Sequence, residues 1–363
     1  MSNPILNEDL EYTFKSLAPE EIEKLRNSTI LITGCGGFLG QFHLSFWEKY
    51  GKELNIKKVI GIDSFLLGES SLIKKLKSNP LFDIRNMDVI DFPKSDICKI
   101  YSIDYVLHMA SIASPTYYRK HPLETVDSNI WGIRALLDGL RDVKLKGFLF
   151  YSSSEVYGDP DNSVVPTSEE YWGNVSCLGP RACYDESKRF GETLCWIYNK
   201  LYQMPIRIVR LFNVYGPGLK LNDRRAPADF AMSVMHNKKI DILSDGSHTR
   251  TFCYVADSCV GEYKTMLYDS FDVFNIGCNS GEMCIEAFAA LFQKTAVTKF
   301  GYAEEYVFSV SDDPDYLVND PKRRCPDLTK SEKLLNHHST ILPKEGVARY
   351  LEYLKIEGEN AIW

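Results

Sequence analysis

The stretch from Ser28 to Gly40 restricts the fold more than any other part of the chain. Ser28-Thr29-Ile30-Leu31-Ile32-Thr33 is a short, apolar, β-branched run suited to a buried parallel strand. It passes directly into Gly34-Cys35-Gly36-Gly37-Phe38-Leu39-Gly40. Gly34, Gly37 and Gly40 form a GxxGxxG turn. Without side chains the backbone can turn tightly, a pyrophosphate can approach main-chain N–H groups, and the next helix can sit against the sheet. That helix has Phe42, Leu44 and Trp47 at apolar positions. A second strand, Lys58-Val59-Ile60-Gly61-Ile62, ends in Asp63. An acid at this point accepts both ribose hydroxyls of an adenosine and repels a 2′-phosphate, which selects NAD over NADP.

The alternation continues along the chain. Strands are expected at 82–89, 103–110, 147–151 and 206–212, with a long helix over 124–143 striped by Ile130, Ile133, Leu136, Leu137 and Leu140. Asp88, on the third strand, is placed to reach the adenine edge. His108, at the end of the fourth, reads as a core histidine. Strands alternating with helices predict an α/β fold: a Rossmann-type doubly wound parallel sheet with a smaller C-terminal α/β substrate domain. We expect a helical extension over 1–27 packed outside the first domain, an NAD-binding domain over 28–217, and a substrate domain over 218–363. Some segments, such as 273–277, would return to the first domain.

Of the 363 residues, 44% are hydrophobic and 25% charged, enough for a sizeable core. The net charge of −7 argues against a nucleic-acid partner, although basic residues gather after 218 where an anionic ligand would meet them. No apolar run approaches the ~18 residues of a membrane span. The acidic N-terminus lacks the apolar centre of a signal peptide. Ten cysteines without CxxC pairs read as reduced thiols in a cytoplasmic protein, with no metal site.

Tyr184 and Lys188 stand one helical turn apart on one face. An ammonium beside a phenol lowers the tyrosine pKa, and such a tyrosine can take a proton from an alcohol as hydride leaves the same carbon. The fifth strand delivers Ser152-Ser153-Ser154-Glu155 to the carboxyl edge of the sheet, where ligands bind in this architecture.

These residues fall into a longer pattern. The chain resembles the extended short-chain dehydrogenase/reductase superfamily from about Thr29 to Asp327, and within it the UDP-glucuronate decarboxylases. The specific motifs are Ser154-Glu155-Val156-Tyr157-Gly158-Asp159-Pro160, Tyr171-Trp172-Gly173-Asn174-Val175, Gly179-Pro180-Arg181-Ala182-Cys183-Tyr184-Asp185-Glu186, Asn222-Asp223 followed by Arg225, and Asp320-Pro321 with Arg324. The chain departs from that family at Ser153 (usually Thr), Ser187 (usually Gly), Arg224 (usually Gly) and Leu243, which stands for an aromatic near the base.

The resemblance implies catalysis by Tyr184, Lys188, Ser153, Glu155 and Arg250, the last two at the carboxylate end of the sugar. It implies NAD contacts from Gly34, Gly37, Phe38, Leu39, Gly40, Asp63, Asp88, Val89, Ala110, Ser111, Asn129, Ser152, Tyr184, Lys188 and Val214. The nucleotide-sugar would meet Tyr118, Asn213 and Arg250, with Arg181, Arg225 and Arg324 on its diphosphate and nucleotide. A homodimer through a four-helix interface, built on 124–143 and 184–200, is also implied. Three rival readings remain at this point: a nucleotide-sugar C4 epimerase, a 4,6-dehydratase, and a non-catalytic NAD-binding regulator. Ser154 before Glu155 disfavours the dehydratase, which usually has an Asp-Glu pair there.

Overall fold

A computed structural model describes residues 3–358. Six strands form in the order expected: β1 (Thr29–Thr33), β2 (Lys58–Asp63), β3 (Phe82–Asn86), β4 (Tyr105–His108), β5 (Gly147–Ser153) and β6 (Ile206–Leu211). Four short strands follow, β7 (Val214–Tyr215), β8 (Ile240–Ile242), β9 (Thr249–Arg250) and β10 (Cys253–Tyr254), and then β11 (Val273–Ile276) joins the main sheet. That sheet is parallel throughout, in the order β11-β6-β5-β4-β1-β2-β3. The strand order reverses between β1 and β4, and the crevice at that reversal is where a doubly wound sheet takes its ligand.

Side chains alternate across the sheet with a period of two, because successive Cβ atoms point to opposite faces. Ile30 and Ile32 of β1 enter one core and Leu31 the other. Leu149 and Tyr151 of β5 join the first, Phe148 and Phe150 the second. Both faces are covered, which is why the strands read as continuous apolar runs.

Several elements differ from expectation. Three helices occur before β2: α1 (Pro4–Lys15), α2 (Pro19–Leu25) and α3 (Phe38–Tyr50). Rather than covering only the outside of the first domain, α1 lies against α3 and against two later helices, Val255–Leu267 and Pro343–Glu357. Its Asp9 is wholly buried and accepts from Tyr254 Oη at 2.7 Å and Arg349 Nη2 at 2.7 Å. Phe14 stacks on Tyr50 of α3 with centroids 4.2 Å apart. Asn3 Nδ2, at the other end of α1, donates to Tyr353 O at 3.1 Å and Glu357 Oε1 at 2.9 Å.

The expected helix over 124–143 is interrupted. Helical turns at Pro122–Val126 and Ile133–Leu140 flank a π turn over Asp127–Gly132. At Gly132 a Cβ would lie 2.4 Å from Val89 Cγ1, so the turn presses closely on the segment after β3. β3 itself ends at Asn86, and Asp88 caps the next turn by accepting from Ile90 N at 3.0 Å. Among the described residues no helix is long and apolar enough to cross a membrane.

Candidate active site

Except for Asn129, every site residue named from the sequence lines one cleft of about 890 Å³ at the carboxyl ends of the strands. Asn129 sits in the π turn, buried, and donates through Nδ2 to Ser187 Oγ at 2.9 Å. It braces the helix Ala182–Tyr202 through that bond.

The glycine turn has the shape its sequence requires. Gly34 adopts φ +71°, and a Cβ there would lie 2.7 Å from Ala110 N. At Gly40 it would lie 2.6 Å from Gly34 O. Gly37 caps the N-terminus of α3, which points its free N–H groups into the cleft. Asp63 accepts from Gly36 N at 2.9 Å and Phe65 N at 2.7 Å. Burial pushes its carboxyl up against these two hydrogen bonds. In the same wall, Ser111 Oγ is buried without a protein partner. A bare cradle, a helix N-terminus, an acid at the end of β2 and an orphaned hydroxyl together fit a dinucleotide.

The helix Ala182–Tyr202 places the reacting groups. Tyr184, Ser187, Lys188, Gly191, Leu194, Cys195 and Tyr198 form its buried face, at the three- and four-residue spacing of a helix against a sheet. Gly191 lets it approach β5; a Cβ there would lie 2.5 Å from the Phe150 ring. That approach brings Lys188 Nζ to 2.8 Å from the carbonyl of Tyr151, to which it donates. Nζ is 5.7 Å from the centre of the Tyr184 ring.

The expected lowering of the Tyr184 pKa is not found. Burial pushes it up to about 12, opposed mainly by a hydrogen bond with Ser153. Burial also pushes Lys188 down to about 7, so the lysine is itself a weakened cation. The spacing was legible in the sequence; the depth at which the pair is buried was not.

Arg181 and Arg324, the residues expected at the diphosphate and nucleotide, both bond to Glu155 Oε2, Arg181 Nη2 at 2.5 Å. Glu155 reaches them from a short turn over Ser154–Tyr157, in which Ser153 Oγ accepts from Glu155 N. Burial would raise the Glu155 carboxyl, but the two guanidiniums outweigh it and hold it below its ordinary value. Arg250 is buried beside them, and its Nη2 donates to Asp320 Oδ2 at 2.8 Å. Burial, with Arg324 next to it, lowers Arg250 to about 10. His248 Nδ1 lies 3.0 Å from the same Asp320 oxygen. Arg225 stands apart from this group, paired with Asp223 at 2.5 Å. Asn213 has φ +42° and donates from Nδ2 to Thr251 O at 2.9 Å.

Sequence reasoning did not assign Asp185, Asp320 or His248 to the site. The only local signal was the four-residue spacing of Arg181 and Asp185. Leu243 does not line the cleft, whereas Ser244, Phe252 and Ile285 do. The Tyr171-Trp172-Gly173-Asn174 loop lies outside it. Arg189 Nη1 pins that loop to the helix by donating to Trp172 O at 2.7 Å and Val156 O at 2.9 Å.

Comparison with known proteins agrees with this geometry. The model of the NAD dependent epimerase/dehydratase family matches residues 30–277. The chain is 32% identical over 357 residues to UDP-glucuronic acid decarboxylase 1 of Xenopus tropicalis, covering 98% of this chain and 79% of that protein. It is 32% identical over 321 residues to UDP-glucuronic acid decarboxylase 6 of Arabidopsis thaliana, covering 88% and 87%. Among solved structures it is similar to the UDP-glucuronic acid 4-epimerase of Bacillus cereus in complex with UDP-glucuronic acid and NAD. There the TM-score is 0.71 at 27% identity, over 90% of this chain and 99% of the other.

Proposed function

The chain belongs to the NAD dependent epimerase/dehydratase family, and from that premise we propose that it decarboxylates a nucleotide-linked glucuronic acid, with UDP-glucuronate as the substrate and UDP-xylose or its 4-keto precursor as the product. NAD is the cofactor; when bound it supplies the hydride acceptor for the sugar C4 and adds a positive charge to the site. Gly34, Gly37, Phe38, Leu39, Gly40, Asp63, Asp88, Val89, Ala110, Ser111, Ser152, Lys188 and Val214 would hold it, as cleft-lining residues.

Tyr184 takes the proton of the C4 hydroxyl as its phenolate, the form that Ser153 favours against burial. Oxidation at C4 makes the substrate a β-keto acid. Loss of CO2 then sends an electron pair toward the C4 oxygen, where the hydroxyls of Ser153 and Tyr184 can donate to it. Arg250 orients the departing carboxylate. Glu155, kept ionised by Arg181 and Arg324, sets a like charge at the same end of the sugar and disfavours the carboxylate relative to neutral CO2.

The observation that carries this reading is the placement of Glu155 and three buried arginines in the same cleft wall as Tyr184. A neutral hexose offers nothing for that end of the site. The likeness to a UDP-glucuronic acid 4-epimerase supports a second reading, epimerisation of the same uronate. UDP-glucuronate labelled at C6 separates the two: trapped labelled CO2 with a pentose product is expected, and label retained in a hexuronate would favour epimerisation. Glu155→Gln and Arg250→Ala should each impair CO2 release much more than NAD binding.

The reading extends to assembly and location. Trp131, at 59% exposure, and Phe190 and Trp196, at 46% and 51%, leave apolar surface on the two helical segments expected to pair in a homodimer. A cytoplasmic location is supported by ten cysteines that all stand as free thiols, six of them buried.

A further inference from the structure

Three carboxylates share the arginine cluster, and Asp185 alone among them does not line the cleft. It follows Tyr184 on the helix and is buried, with 6% exposure. Its Oδ2 is 3.6 Å from Arg181 Nε, beyond hydrogen-bond length, and its Oδ1 is buried with no partner. Facing it are Arg181, Cys183 and Tyr184 from its own segment, Glu155 from the turn after β5, and Arg324 from the strand Arg323–Arg324. Tyr118, from the helix Pro115–Lys120, stacks on Tyr184 at 5.1 Å. Asp320 and Arg250 complete the cluster on the cleft side.

The charges in this cluster decide what it can bind. Arg181, Arg250 and Arg324 face the carboxylates of Glu155 and Asp320; the arginines hold Glu155 below its ordinary pKa, and a hydrogen bond with His248, followed by the arginines, does the same for Asp320. With Asp185 uncharged, one positive charge is left over. With Asp185 ionised, none is.

We propose that Asp185 is a positioning residue whose uncharged form leaves the arginine cluster one surplus positive charge, and that this charge receives the carboxylate of the substrate. The inference rests on the uronate reading above and explains how the site attracts a carboxylate despite its own acids. An ionised Asp185 with one orphaned oxygen would be costly to bury, and the neutral acid form costs much less. Burial first, and Glu155 second, push its pKa up to about 8. The sign follows: below that pH Asp185 is neutral and the surplus is present, and as pH rises through it the surplus disappears. Affinity for the uronate should fall over that range. Affinity for the pentose product, which has no carboxylate, should not.

The test uses the full chain with NAD, between about pH 6.5 and about pH 9, below the range in which Arg250 loses its charge. The KM for UDP-glucuronate should rise by up to about tenfold per pH unit above the transition, while the inhibition constant of UDP-xylose stays level. In Asp185→Asn the rise in KM should vanish, at whatever turnover that variant retains. A rise that persists in Asp185→Asn, or one equally steep for UDP-xylose, would overturn the proposal. Should the variant fail to fold, calorimetry of the unaltered protein in buffers of different ionisation heat decides. At about pH 9, binding of the uronate should take up close to one proton and binding of UDP-xylose none; equal uptake by both overturns the assignment. If the uronate binds with proton uptake yet no CO2 is released, the decarboxylase reading fails and the charge assignment stands.

Discussion

Tyr184 is subject to opposing influences that its sequence context does not reveal. Ser153 favours its phenolate, while burial works against it and Lys188 is anchored to the Tyr151 carbonyl rather than to the ring oxygen. Replacing it with Phe removes the proton acceptor and little packing. Turnover of Tyr184→Phe should fall by about 10²–10⁴-fold, with NAD affinity nearly unchanged, as followed by product formation and by cofactor titration. Retention of near-normal turnover would remove Tyr184 from the mechanism. The four-residue spacing of Tyr184 and Lys188 was visible in the sequence because a helix imposes it locally. The partners of Arg181 were not, because Glu155, Asp320 and Arg324 meet only after the sheet has brought distant segments together.

Secondary elements were legible where their pattern is local. The alternation of Ile30, Leu31 and Ile32 between two cores is written directly in β1, and so is the glycine turn after it. The π turn was not: Ile130, Ile133 and Leu137 keep a helical stripe, and only the tight contact of Gly132 with Val89 marks the irregularity. Nor did anything in the first 27 residues show that α1 would bridge α3 and the C-terminal helix. That bridge depends on Asp9, which has no exposure at all. Arg349→Ala would leave its carboxylate with Tyr254 alone as a near partner, and should destabilise the fold by about 3 kcal/mol in urea unfolding. A change below about 0.5 kcal/mol, the range of ordinary surface substitutions, would mean that α1 is held by its apolar contacts instead.

At the scale of the whole molecule, Trp131, Phe190 and Trp196 are exposed aromatics on the two helical segments proposed to form the dimer interface. Trp196→Glu should convert a dimer to monomer in sedimentation at micromolar concentration while leaving cofactor binding intact. An unaltered protein that sediments only as monomer would exclude this assembly. The contact of Asn3 with Tyr353 and Glu357 has a different consequence. It makes the described chain a closed circuit with a seam between its first and last helices. A fluorescence donor on one side of that seam and an acceptor on the other would stay in close transfer while the cleft breathes. They would separate only when the seam opens, so the pair distinguishes motion within the site from loss of the fold.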